Sequence, residues 1–524
     1  MSTLFYRRAT QLQPLLRKRE QNNVNPDQAY QELLRLSREE TVLSSCLDFL
    51  EWDEEVCMPG GGVQHRAEQT ALLAGLVHDH GTDPRYDELL NIVEASSLVS
   101  DPESHIAVNV RELRREFDRE RRMPRRLVEE SARVTALASQ VWAQARRQND
   151  FKLFAPWVDR IFSLAREEAD AVGYSGERYD ALLDDYEPGM TTHRVSELFT
   201  RLESDMVPLV ASLRDEPAAA PADVLKREFP LERQQLFMDQ VASALGFDQE
   251  RGRVDVGQHP FCTMIGPGDV RIALRYFPRN FARGFFALMH EVGHALYDQG
   301  LDREHYGTPM GEAVSLGLHE SQSRLWENQV GRSLGFWQHF YPRLKSVFHE
   351  ALHDVPLDTF RRVVNRVAPS VLRVGADEVT YDLHIMIRFD LERALLGDDL
   401  RAADLPGAWS ELYKRRLGIT AQNDRTGCLQ DGHWSEGLIG YFPTYTLGNV
   451  YAAQFFLAAE QEVGTLDDTF AAGDFRTLRD WLGEHVYRHG QRFPSATIVE
   501  RATGSAPDPS ALIESLSRRY RLNR

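Results

Sequence analysis

Apolar residues recur along most of this chain at spacings of three and four. Ile106, Val110, Leu113 and Phe117 mark one such stripe, with Arg and Glu between them, and the spacing predicts a helix with one buried face. Pro124 restarts the pattern, which continues through Leu127, Val134, Leu137 and Val141. Alternation with period two is rarer. Its clear instance is "DVRIALRY", residues 269–276, where Val270, Ile272, Leu274 and Tyr276 alternate with Arg271, Ala273 and Arg275 and predict a strand. Its position just ahead of a helix bearing two histidines suggests a strand that pairs with an extended peptide. "DEPAAAPADV", residues 215–224, breaks the helical pattern with two prolines and small residues. It is expected to join an N-terminal helical lobe, about 1–214, to a catalytic lobe, about 225–524.

Size and charge narrow the picture. A chain of 524 residues buries a large core and exceeds the length at which single cores usually stop growing, so one fold with two lobes, or two domains, is expected. A net charge of -18 argues against nucleic acid or an anionic membrane as the main partner. The arginines between Arg111 and Arg126 do not change that reading, because Glu112, Glu116, Asp118 and Glu120 interleave with them and predict an ion-paired helix face. Cys46, Cys57, Cys262 and Cys428 are too dispersed for a disulfide framework or a C-x-x-C zinc site. The opening residues show no export signal, and no apolar run has transmembrane length, so a cytoplasmic protein is expected.

The candidate chemistry lies in "ALMHEVGHALYDQG", residues 287–300. On a helix His290 and His294 project from one face and can share a metal ion, with Glu291 placed to take a proton from water at that ion. In a chain with 17 histidines this spacing arises by chance often enough to need support. Tyr297 and Gly300 stand where a three-histidine protease carries its glycine and third histidine, so a carboxylate is expected as the third ligand. Asp298, Glu304, Glu312 and Glu320 are candidates, with His305 and His319 as nitrogen alternatives. Glu320 is favoured, because "MGEAVSLGLHESQSRLWENQV" reads as a second helix whose Gly311 and Gly317 would permit close approach. The plainer alternative pairs Glu320 with Arg324 one turn later. Such a site would hydrolyse a peptide bond, and cutting at the C-terminus would require an arginine to grip the terminal carboxylate.

"HPF" at 259–261, "HEVGH" at 290–294, "HESQ" at 319–322, "LRVGAD" at 372–377 and "GCLQDGHW" at 427–434 follow one another as in the carboxypeptidase Taq family of zinc metallocarboxypeptidases, which the chain resembles. "LEWDEEVCMPGGGVQHRAEQ", residues 50–69, extends the likeness to nearly the whole length. The resemblance implies a mainly α-helical fold with a deep groove and a small β-sheet beside the histidine helix. It also implies a homodimer that removes single residues from peptide C-termini with broad specificity, using zinc that cobalt can replace. It assigns Glu320 as third ligand, Glu291 as catalytic residue and Arg373 as the receptor for the substrate carboxylate. A pairing of Arg373 with Asp377 on one helical turn is compatible with that role. His259, Gln430, Asp431 and His433 fall in motifs that line the groove. His259, His433, Tyr441 and Tyr445 are candidates to bind the oxyanion. The chain departs from the family pattern at Ala273, where a threonine is usual, and at Leu372, where an isoleucine is usual.

Two other readings carry distinct expectations. An endo-acting oligopeptidase would share the metal triad but ignore a terminal carboxylate. A non-catalytic zinc-stabilised scaffold would not need Glu291.

Overall fold

The computed structural model describes residues 25–214 and 223–521. The opening residues, and most of the 215–224 connection, lie outside the described residues. Helix α1 (Pro26–Val56) begins where Asn25 accepts a hydrogen bond from the Asp27 backbone N–H, with Pro26 in the first turn. It packs beside α2 (Val63–Gly81) and a helix over Arg85–Glu94. Helix α3 (His105–Arg122) adds Val110, Leu113 and Phe117 to a small apolar cluster with Leu33, Tyr86 and Leu90, which is the stripe predicted from spacing. Its arginines are ion-paired, Arg114 with Asp87 and Glu94 and Arg119 with Asp185, as the interleaved charges imply. After Pro124 the next helix, Arg125–Gln148, buries Leu127, Val134, Ala138 and Ala145. Leu137, expected on that face, is exposed.

A second, larger apolar cluster draws on residues from Leu127 to Tyr520. At one side lies a three-stranded sheet of β1 (Gly252–Val256), β2 (Phe261–Gly266) and β3 (Asp269–Leu274), in the order β1-β3-β2. β3 is the strand predicted from alternation, shorter by two residues. Because β1 pairs with it in parallel and β2 antiparallel, both of its edges are occupied. The expectation that β3 itself pairs with a peptide is therefore corrected, since β2 is the edge strand facing α1 and the histidine helix. Arg271 pairs with Asp269 and lies over Trp52 of α1, 4.4 Å from the ring centre, so the strand is tied to the N-terminal helices. Ala273 is fully buried on this central strand, with Asp255 and Phe261 as its partners in the flanking strands.

β3 leads into α4 (Phe281–Gly300), capped by Asn280. Leu288, Met289 and Val292 have no exposed surface, and burial of each contributes about 1.5–3 kcal/mol. Helix α5 (Leu316–Arg324) packs on α4 and continues into a single wide π-helical stretch, Leu325–Val330. The predicted start of this helix near Met310 is corrected. Pro309–Gly311 forms a separate 3-10 turn, and extended Ser315 is the cap that starts α5, accepting from Leu318. The expected roles of Gly311 and Gly317 are corrected too. A Cβ at Gly317 would meet the Glu187 carboxylate at 2.3 Å, and one at Gly311 the His305 backbone at 2.4 Å. The close helix contacts fall elsewhere. A Cβ at Gly293 would stand 2.5 Å from the Gln322 carbonyl oxygen of α5. Two further helices complete the frame, α6 (Tyr381–Leu396) and α7 (Pro443–Val463). On α7, a Cβ at Gly448 would stand 2.8 Å from Cγ of Glu320. Among the described residues no helix is long and apolar enough to cross a membrane.

Candidate metal centre

One turn of α4 separates His290 from His294, and their Nε2 atoms stand 3.2 Å apart. Glu320 Oε2, from α5, lies 3.5 Å from the first and 3.4 Å from the second. Ligand atoms about 2.0–2.1 Å from a tetrahedral ion stand roughly 3.3 Å from one another, so this donor set fits a divalent metal. Two imidazole nitrogens and a carboxylate also match the borderline-soft character of zinc. Among the described residues these three form the one cluster of potential ligands close enough to share an ion. Glu304 is exposed on a separate turn, His305 packs edge-on against His105, and Glu312 lines a cavity beside α1 and α3.

Each candidate ligand is held from behind. Glu320 Oε1 accepts from Arg324 Nε at 2.9 Å and Oε2 from the Ser323 hydroxyl at 2.9 Å, so the same carboxylate both pairs with Arg324 and faces the histidines. His290 Nδ1 lies 3.0 Å from Glu327 Oε2, which also takes Arg324 Nη1 at 3.1 Å. The wide turn after α5 carries Glu327, and such turns recur at functional sites. His294 Nδ1 faces His319 Nδ1, whose Nε2 faces Asp298. Glu291 is 7% exposed, and burial pushes its carboxyl up to about 7.

Arg373 lies on the loop before α6 and is 7% exposed. Its Nε and Nη2 donate to Asp431 Oδ1 at 2.9 and 2.8 Å, and Nη1 donates to the Tyr381 hydroxyl at 3.0 Å. One N–H on each terminal nitrogen is left over. The alternative pairing with Asp377 does not form. Asp377 instead accepts from the backbone of Ala368, Val379 and Thr380 and caps the turn into α6. Asp431 gives its other oxygen to fully buried Arg388, at 2.8 and 2.6 Å. Two guanidiniums against one carboxylate leave a net positive charge, and they hold Asp431 far below the usual carboxylate range despite its burial. Arg324 lies over the Tyr381 ring, 4.1 Å from its centre, so one tyrosine links Glu320's partner to Arg373.

The other predicted groove residues divide. Gln430 accepts from the Arg373 backbone at 2.8 Å and donates to the carbonyls of Val371 and Thr426, so its amide braces the loop. His433 Nε2 lies 3.1 Å from the Tyr445 hydroxyl and its ring stacks on Phe442. Burial brings this imidazole down to about 4, leaving it neutral at pH 7. Tyr441 is half-buried beside both His433 and Tyr445. His259 is exposed at the entrance to β2, in a cavity of about 410 Å³ shared with Asp48, Glu51 and Trp52 of α1 and Cys262 of β2. Reading the sequence missed Glu327, Tyr381 and Arg388. Only Glu327 had a local signal, since it stands one turn beyond Arg324, itself one turn beyond Glu320.

The model of the family described as carboxypeptidase Taq (M32) metallopeptidase matches residues 32–520. The chain is 46% identical to thermostable carboxypeptidase 1 of Thermus thermophilus, an alignment spanning 95% of this chain and 99% of that protein. It is 34% identical to carboxypeptidase 1 of Bacillus subtilis, over 91% of this chain and 95% of that one. Among solved structures, the M32 carboxypeptidase from Deinococcus radiodurans R1 superposes with a TM-score of 0.91 at 38% identity, covering 94% of this chain and 99% of that chain. The Pyrococcus furiosus carboxypeptidase does so with a TM-score of 0.90 at 34% identity, covering 96% and 100%.

Proposed function

This chain belongs to the carboxypeptidase Taq (M32) metallopeptidase family and is a metal-dependent carboxypeptidase; from that premise we propose that zinc is its ion, held by His290, His294 and Glu320. The observation that carries this reading is the convergence of the three ligand atoms beside buried Glu291. When bound, the ion polarises the scissile carbonyl and makes water acidic enough to attack at neutral pH. Glu291 accepts the proton from that water and returns it to the leaving amine. Arg373, with a net positive charge behind it and two N–H groups unspent, receives the C-terminal carboxylate. Asp431 and Gln430 hold Arg373 in place. Tyr441, Tyr445 or His433 donates to the developing oxyanion, and His259 lines the approach along β2.

We further take the working form to be a cytoplasmic homodimer with broad specificity, built as a single domain with the helices before residue 215 as one lobe, and able to use cobalt. The test is a free-acid peptide and its C-terminally amidated twin, followed by mass spectrometry with and without chelator. Stepwise loss of residues from the free acid alone, abolished by chelation and restored by zinc, is expected. In Arg373→Ala the free acid should lose its advantage through a raised KM, with metal content unchanged. Internal cleavage of both peptides would replace this reading with an endopeptidase, and no cleavage by zinc-loaded protein would leave only a scaffold.

A further inference from the structure

The two candidate histidine ligands are backed in different ways. His290 rests on a carboxylate, Glu327. His294 rests on another histidine: Nδ1 of His294 and Nδ1 of His319 lie 2.6 Å apart, with ring planes only 26° from parallel and centres 4.6 Å apart. The rings therefore meet edge to edge in nearly one plane, the arrangement of a hydrogen bond between ring nitrogens rather than of stacked faces. On the far side, His319 Nε2 lies 2.9 Å from Asp298 Oδ1, and the other oxygen of Asp298 faces the Cys262 thiol of β2 at 3.8 Å. His319 also contacts the Tyr297 ring, and Asp298 is buried.

With a metal on His294 Nε2, one proton arrangement satisfies all of these contacts. A histidine that gives its Nε2 lone pair to a metal keeps its proton on Nδ1. That N–H of His294 donates to His319 Nδ1, His319 then carries its proton on Nε2, and this N–H donates to Asp298. With the opposite tautomers, His294 would carry a proton on Nε2 and offer no lone pair there. Asp298 sits on α4, one turn beyond His294, yet it reaches that ring only through a residue of α5. We propose that His319 and Asp298 form a positioning relay that fixes the tautomer and ring plane of His294 and ties together the two helices that supply the metal ligands. The inference rests on His290, His294 and Glu320 being the ligands.

The test uses full-length protein stripped of metal. Zinc affinity is measured by competition with a chromophoric chelator, and the visible absorption of the cobalt form reports ligand geometry. His294→Ala serves as the benchmark; if it binds zinc like the parent, the assignment of the metal site fails before the relay is in question. With the benchmark impaired, His319→Phe, which removes both ring nitrogens, should weaken zinc by about 10–100-fold and alter the cobalt spectrum. His319→Gln, whose amide can accept from His294 and donate to Asp298, should recover most of the loss. Asp298→Asn should weaken binding in the parent and add nothing in the His319→Phe background, because its influence passes through the missing imidazole. Parental affinity in a folded His319→Phe, equal impairment of the Phe and Gln variants, or an additive Asp298→Asn would each overturn the relay. Should His319→Phe fail to fold, parental affinity in Asp298→Asn would overturn it, and weaker zinc there with His319→Gln near the parent would support it.

Discussion

Glu291 stands between the two histidines in sequence but, on the proposed assignment, has a different task from either. Its carboxyl is buried, and that environment favours a group that takes up and gives back a proton over one that stays charged. In Glu291→Gln the amide keeps the shape and loses the base, so kcat should fall by about 10²–10⁴ while bound metal, measured by atomic emission, stays near one ion per chain. Turnover close to the parent would remove Glu291 from the reaction. Individual residues of this kind were legible because their chemistry is local: two histidines and a glutamate on one turn declare themselves. Their partners did not. Glu327 lies 37 residues beyond His290, and Asp431 lies 58 beyond Arg373 and 43 beyond Arg388. Helical spacing says nothing about which distant carboxylate will arrive behind a given ring. For the same reason the Arg373–Asp377 pairing, natural from a spacing of four, gave way to the ion pair that the fold delivered.

Helices were legible wherever one face is buried and the other wet, as along α3. The strands were less so. β2 is half-buried at every position and β1 at most, so neither shows the alternation that reveals β3, and the edge strand facing α1 and α4 passed unread. The start of α5 was misplaced because apolar and small residues run through the preceding turn, where Pro309 and extended Ser315 decide the boundary. Helix contact hinges on Gly293 and Gly448 rather than on the glycines singled out from spacing. Gly293→Ala would drive a methyl group into the Gln322 carbonyl and push α5, with Glu320 on it, away from α4. We expect a loss of about 1–3 kcal/mol in stability by urea unfolding together with weakened zinc binding. Unchanged zinc affinity would mean that α5 is located by α7 alone.

At the scale of the whole molecule, the small N-terminal cluster and the large one meet across ionisable ground. A cavity of about 300 Å³ between them is lined by Glu40 and Asp48 of α1, Glu116 of α3, and Glu312. Enclosure by protein, reinforced by the Glu40 carboxylate, pushes Glu312 up to about 7. Between the ordinary value of 4.5 and about 7 the folded chain holds a proton on Glu312 that the unfolded chain has released, so this group subtracts stability as pH rises through that window. Glu312→Gln cannot titrate, and its urea midpoint should gain on the parent's between pH 5 and pH 8; parallel pH profiles would contradict this. None of this was visible in the sequence, where these carboxylates are scattered among dozens of others. Metal and peptide end meet different problems in this acidic molecule. On the proposed assignment, the peptide's terminal carboxylate goes to a buried place where two guanidiniums share a single anion, and Tyr381 and Arg324 lie between that place and Glu320. On that reading the arrangement works as a ruler whose zero is a charge, with the cut counted in backbone units from the end of the peptide.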